Sequence, residues 1–257
     1  MGKSMQEMIE ETKKQYKSKK KNGKKTSQTS QAEEREEREK RRVKLIYNSM
    51  LKQFKIPKRF ADKGFSNYEV TEDNKEYHER VMSYATSFEE HYNNGDWLVL
   101  SGSFGLGKTH LALAVARHVL KFFAKKNSKT NHGTIYTGLP KVLFLSSSEL
   151  IQNIRDSYDS DELDERSLMN KYKNTELLII DDLGTEKATE WQQEKMYMVL
   201  DYRYREMKPT IITTNLSAGE LSEHITERVY ERIIETTRQG ELLIFFEGDS
   251  YRKEIKE

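Results

Sequence analysis

Five short apolar runs punctuate the 257-residue chain, and helical stretches separate them. The runs are Trp97–Leu100, Val142–Leu145, Leu177–Asp182 with its two closing acids, Thr210–Asn215 and Leu242–Phe246. Unbroken apolar runs of this length fit strands covered on both faces of a parallel sheet. Between them, residues 111–125 carry apolar side chains at helical spacing. Ser146-Ser147-Ser148-Glu149 reads as an N-cap for a helix starting with Leu150, Ile151 and Ile154. A helix is expected around Leu168–Met169. Another spans 189–206, with Trp191, Met196, Val199, Leu200 and Tyr204 available for packing, and Leu221–Thr237 is mostly helical. Strand alternating with helix predicts an α/β fold with a five-stranded, doubly wound parallel sheet. Ligands of such sheets sit at the carboxyl ends of the strands.

Upstream, residues 74–93 form one helix with Tyr77, Val81, Tyr84, Phe88 and Tyr92 on one side, and Asn93–Asp96 turns into the first strand. Residues 56–68 are irregular. Residues 32–55 read as helix, with Glu33, Glu34, Glu36 and Glu37 ahead of Arg41, Arg42 and Lys44, the order that suits the helix dipole. Val43, Ile46, Tyr47, Met50, Leu51 and Phe54 form its apolar stripe, which packs on the chain's own body or on a partner; spacing does not separate the two. Pro57 ends it. Residues 126–141 form a polar loop with a short strand at Thr134–Tyr136. Residues 1–12 carry a short helix with Met5, Met8 and Ile9 on one side. Residues 13–31, with eight lysines between Lys13 and Lys25 and a polar run after them, have nothing to bury and are expected to be largely disordered.

Charge changes the picture. The net is only +2, but residues 1–60 hold nineteen Lys and Arg against eight Asp and Glu, a net of +11, and the rest hold 25 against 34, a net of −9. A basic arm is set apart from an acidic body, as a solvated tail or as a handle for nucleic acid or an acidic partner. With no cysteine in the chain, disulfides and Cys-based zinc sites are excluded and the cytoplasm is the natural compartment. No signal peptide is evident, and no apolar stretch approaches the length of a membrane span. The six histidines show no ligand spacing.

The chemistry starts where the first strand ends. Gly102-Ser103-Phe104-Gly105-Leu106-Gly107-Lys108-Thr109 fits the phosphate-loop pattern G-x-x-x-x-G-K-[ST] between a strand and a helix. Glycines let backbone N–H groups turn inward onto phosphate oxygens, and the following helix points its positive end at them. Lys108 would reach the β- and γ-phosphates, and the Thr109 hydroxyl would bind Mg²⁺. The third run ends in Asp181-Asp182. Asp181 is placed to hold Mg²⁺ through water, and Asp182 to polarise the attacking water. Asn215, ending the fourth run, is placed for the same water or the γ-phosphate. Arg228 and Arg232 lie one helical turn apart, and spacing alone leaves a surface pair as the simpler reading.

Gly107–Ala112, the Leu177–Gly184 run LLIIDDLG, Ile211–Leu216, Glu231–Ile233 and Ser250-Tyr251-Arg252, in this order, resemble the DnaC/DnaI/IstB group of AAA+ P-loop ATPases. Ile56–Phe60, with Phe65 and Tyr68, resembles the group's lead-in segment. The resemblance covers residues 56–253 and implies an AAA+ ATPase domain over 56–257. It assigns Lys108 and Thr109 to Walker A, Asp181 to Walker B and Asn215 to sensor 1. Arg232 becomes the arginine finger acting in trans, with Arg228 second, and Arg252 the sensor 2 position. Residues 102–110, His110 included, and Arg252 form the nucleotide-binding set. ATP over GTP is also inferred from the resemblance. Lys141, Gln152 and Arg155 are the DNA-contact candidates near the helix after Ser146.

The resemblance further implies a loader that binds the replicative hexameric DNA helicase, places it on single-stranded DNA and self-associates in the ATP state. The alternatives are an IstB-type transposition accessory ATPase and a nucleotide-binding adaptor without turnover. Three departures matter. Asp182 stands where many AAA+ proteins have Glu, which suits slow hydrolysis. The chain ends soon after Arg252, so the expected lid is rudimentary. Lacking cysteines, residues 1–55 would form a helical or partly disordered docking extension rather than a zinc-binding one.

Overall fold

A computed structural model describes residues 33–130, 141–158, 164–184 and 189–248. The expected helix at 1–12, the tail at 13–31, the short strand at Thr134–Tyr136 and the position of Arg252 lie outside these residues.

The five apolar runs become five parallel strands: β1 (Leu98–Gly102), β2 (Val142–Ser146), β3 (Leu177–Leu183), β4 (Thr210–Thr214) and β5 (Leu243–Phe246). They pair in the order β2-β3-β4-β1-β5. Alternate strand residues serve opposite faces. Leu98, Leu100, Ile179, Ile211 and Ile244 join one core with residues 33–53 (α1), α2 (Lys75–Thr86), α3 (Phe88–Asn94) and α4 (Lys108–Thr130). Val99, Leu178, Ile180, Ile212 and Leu243 join the other, with α5 (Ser147–Asp156), α6 (Glu165–Asn174), α7 (Glu190–Arg205), α8 (Ala218–Ile225) and α9 (Glu227–Thr236). The sheet is thus apolar on both sides, as its unbroken runs require.

Two expected single helices are broken. The 74–93 helix divides at Ser87, where the Thr86 hydroxyl and the Ser87 N–H both go to the Ser83 carbonyl. Hydroxyl side chains compete with the backbone for such carbonyls and favour an end there. The Leu221–Thr237 helix divides at Thr226, whose φ of 77° no helix accommodates. Conversely, α4 runs on to Thr130, because the polar residues after Lys125 include no breaker. The irregular lead-in holds two 3₁₀ turns, Lys58–Phe60 and Phe65–Asn67.

The stripe of α1 lies on the chain's own body. Met50 and Phe54 are buried in the core with α2 and α4, and Val43, Ile46, Tyr47 and Leu51 pack against it. A deletion meant to remove only the basic arm therefore ends before residue 33.

Candidate nucleotide-binding site

Gly102, at the end of β1, has φ 131°, and a methyl group there would run into the Phe246 carbonyl on β5. Gly107 has φ 86°, and an added Cβ would lie 2.8 Å from the Tyr68 ring of the lead-in segment. Only glycine meets both the left-handed backbone and the close approach. The loop between them delivers Lys108 and Thr109 to the first turn of α4.

Lys108 is 5 % exposed. Its Nζ donates to the carbonyls of Gly102 (2.6 Å) and Ser103 (2.7 Å) and to Asn215 Oδ1 (2.9 Å). The ammonium is held inside the loop, where phosphate oxygens would exchange for these carbonyls. Thr109 Oγ1 donates to Asp181, 2.9 Å from Oδ1 and 3.2 Å from Oδ2. Residues 72 and 107 positions apart in sequence thus meet at one strand-end cluster, with Asn215 just beyond β4.

Asp181 is buried. Burial pushes its carboxyl above the ordinary range, a hydrogen bond from Thr213 works the other way, and neighbouring Asp182 raises it again. No sequence motif marks Thr213 as a site residue. Its only signal was a hydroxyl at a strand position with no solvent, which implies a partner. Asp182 leaves the strand pattern: pairing of β3 with β4 shifts between Ile180 and Leu183, and Asp182 has φ 52°.

Among the described residues no cluster of three or more His, Cys, Asp or Glu could hold a metal ion. The Thr109–Asp181 pair is instead a partial hard-oxygen set, the kind Mg²⁺ takes when phosphates and water complete its shell. A cation would also relieve the buried charge on Asp181, so the donors fit.

The other predicted residues separate. Leu106 is buried, while Phe104 at the loop tip is 61 % exposed. His110 turns to the lead-in segment: Nε2 donates to the Gly64 carbonyl (2.9 Å), the ring meets Tyr68 edge-on, and burial lowers its pKa. On α9, Arg232 is ion-paired with Asp201 of α7 and lies over Tyr204 and Tyr197. Arg228 is exposed beside Tyr197. Lys141 precedes β2, at the amino end of the sheet, where it pairs with Glu176 (2.8 Å).

Gln152 and Arg155 stay at the carboxyl end. They line a cleft of about 390 Å³ together with Ser148, Glu149, Gln192 and His224. The Arg155 guanidinium lies 5.5 Å from the Trp191 ring centroid. Lys195 Nζ lies 5.9 Å from the same centroid, and the Tyr158 ring, 52 % exposed, is 6.3 Å away. By spacing alone Trp191 is a packing residue, and no motif marks Tyr158. Two aromatics and two cations meet here from α5, the turn after it and α7.

The family profile described as "IstB-like ATP binding protein" matches residues 2–257. The chain belongs to this family. Among curated relatives of this IstB-like protein, the replicative helicase loader DnaC of Escherichia coli K12 is 26 % identical over 194 residues, 75 % of this chain and 70 % of that one. The replicative helicase loader DnaI of Bacillus subtilis is 25 % identical over 182 residues, 69 % and 52 % of the two chains. A crystal structure of the DnaC helicase loader superposes with a TM-score of 0.56 at 25 % identity, covering 74 % of this chain and 98 % of that one. The IstB-like core is thus an AAA+ P-loop fold of the helicase-loader type. No helix among its described residues is long and apolar enough to cross a membrane.

Proposed function

We propose that this chain is an ATP-dependent loader of a replicative hexameric DNA helicase onto single-stranded DNA, with ATP binding and hydrolysis as its assembly and release switch. The observation that carries the reading is the convergence of Lys108, Thr109, Asp181 and Asn215 in a chain whose curated relatives are named helicase loaders. Lys108 and the loop amides would hold the nucleotide's phosphates, and Thr109 with Asp181 would hold Mg²⁺. Bound magnesium supplies charge neutralisation on the phosphates. Asp182 would orient water. Arg232, with Arg228 beside it, would complete a neighbouring subunit's site, which makes self-association part of the switch.

Single-stranded DNA is assigned to the Arg155–Tyr158–Trp191–Lys195 cluster. Aromatic faces that stack bases, next to the exposed Arg155 guanidinium, suit a strand read without sequence preference, with Lys195 held at the edge of the cluster by Glu165 (2.8 Å). Trp191→Ala is therefore expected to weaken binding of a fluorescent oligothymidylate about tenfold, the loss of one stacked base, in anisotropy titrations with ATP present. Unchanged affinity would remove this surface from the DNA path.

The family match favours one second reading, an IstB-type transposition accessory ATPase. Stimulation of a cognate transposase's strand transfer, with no helicase binding, would select it.

A further inference from the structure

We propose that Thr213 is a positioning residue of the nucleotide site: one hydroxyl on β4 aims both acids at the end of β3. The inference rests on the nucleotide-site reading above. Thr213 is fully buried, paired in register with Leu100 of β1 on one side and facing the acids of β3 on the other. Its Oγ1 lies 2.6 Å from Asp181 Oδ1 and accepts the Asp182 N–H at 3.0 Å.

The direction of both bonds is forced. A backbone amide only donates, so the hydroxyl oxygen must accept there. Its single hydrogen is then free for the Asp181 carboxylate, which only accepts when ionised. The two bonds therefore lock the hydroxyl rotor and tie the acids together.

Local topology explains why the hydroxyl is needed. From Ile180 to Leu183 β3 advances three residues, while β4 advances two, from Ile212 to Thr214. The extra residue is a β-bulge, which takes a backbone group out of the ladder and re-aims a side chain. The Thr213 hydroxyl replaces the ladder acceptor for the Asp182 amide. On the other side, Ser147 Oγ donates to the Asp182 carbonyl (3.0 Å). Asp182 is thus held at both ends in its left-handed conformation while Asp181 is turned toward Thr109.

Outer groups that orient a metal-holding carboxylate are commonly worth 10- to 100-fold in metal affinity or activity. The test compares full-length wild type, Thr213→Val, Thr213→Ser and Thr213→Ala by the affinity of fluorescently labelled ADP in excess Mg²⁺ and in EDTA. Valine has nearly the same shape as threonine but makes neither bond; serine makes both. In EDTA, Thr213→Val is expected to bind within about twofold of wild type, and its gain in affinity from Mg²⁺ is expected to fall about tenfold or more. Thr213→Ser is expected to keep the wild-type gain. If the valine chain does not fold, alanine, which leaves space where valine places a methyl, carries the same comparison.

A full Mg²⁺ gain in the variants lacking the hydroxyl would overturn the proposal. So would equal losses with and without Mg²⁺, the sign of a merely structural residue, or failure of serine to rescue. Wild-type protein that binds the nucleotide with no Mg²⁺ dependence would instead sink the nucleotide-site reading itself.

Discussion

Replacing Arg232 with alanine is expected to lower ATP turnover about 10³-fold while changing the subunit's stability little. Phosphoryl transfer needs positive charge on the γ-phosphate beyond Lys108 and a metal, and an arginine from a neighbour is worth that much. Arg232 is preformed on α9 rather than loose: Asp201 pairs with it, and Tyr204 and Tyr197 lie 5.0 and 5.5 Å from its guanidinium. Removing it does not leave Asp201 unpaired, because Arg205 Nε remains 3.0 Å from the other carboxylate oxygen. Hydrolysis by Arg232→Ala at saturating ATP, alongside its melting temperature, measures both halves of the prediction. Mixing Arg232→Ala with Lys108→Ala chains then tests action in trans. Wherever a Lys108→Ala chain presents its arginine to the site of an Arg232→Ala chain, one site has both an intact lysine and an intact facing arginine, so activity should partly reappear. Mixtures as inactive as the separate variants would contradict an arginine supplied by the neighbour.

The largest expected loss of stability lies far from the nucleotide. Arg203 is fully buried on α7. Its guanidinium donates to the carbonyls of Tyr172 (3.1 Å), Lys173 (3.2 Å), Thr175 (2.9 Å) and Pro209, and to Thr210 Oγ1 (2.9 Å). It caps the end of α6 and ties it to the start of β4, satisfying carbonyls that helix ends otherwise leave open. Burial pushes its pKa down to about 9, so it remains charged at neutral pH. Arg203→Leu would take a charged donor away from each of these buried acceptors, and the Pro209 carbonyl would keep the longer bond from the Leu178 N–H (3.4 Å). Breaking such a buried charged network costs roughly 3–5 kcal/mol, a large share of a stability of about 5–15 kcal/mol. Urea unfolding of the variant should show a midpoint lowered accordingly. The charge-conserving change Arg203→Lys should not rescue, because an ammonium cannot span five acceptors in a planar fork. A leucine variant within about 1 kcal/mol of wild type would show that water or backbone movement satisfies the carbonyls.

The contrast between these two arginines marks where sequence reasoning reaches its limit. The sheet was legible because strands buried on both faces need unbroken apolar runs, and those runs stand out in a chain with 33 % charged residues. The phosphate loop was legible because its glycines, lysine and threonine have fixed spacing, and Asp181 and Asn215 because strand ends of one parallel sheet share an edge. Arg203 looked like one more basic residue near the end of an amphipathic helix. Nothing in its neighbours announces that its partners come from residues 172–175 and 209–210.

The bulge at Asp182 is equally silent, since LLIIDDL reads as a regular strand until β4 is laid beside it. Spacing is also blind to which end of a strand a cation occupies. Lys141 and Arg155 were grouped as DNA contacts, yet one precedes β2 and the other follows it by a full helix turn or more, at opposite ends of the sheet. Breaks at Ser87 and Thr226 were hidden because both lie within stretches whose apolar spacing stays helical across the break.

The most direct test of the loader reading is co-purification of the full-length chain with the replicative hexameric helicase of its own host. It is run with ATP and with ADP, alongside a chain lacking residues 1–32. A stable complex with ATP, lost or weakened with ADP and lost when the basic arm is removed, is the predicted result. No complex with either nucleotide would contradict the loader account.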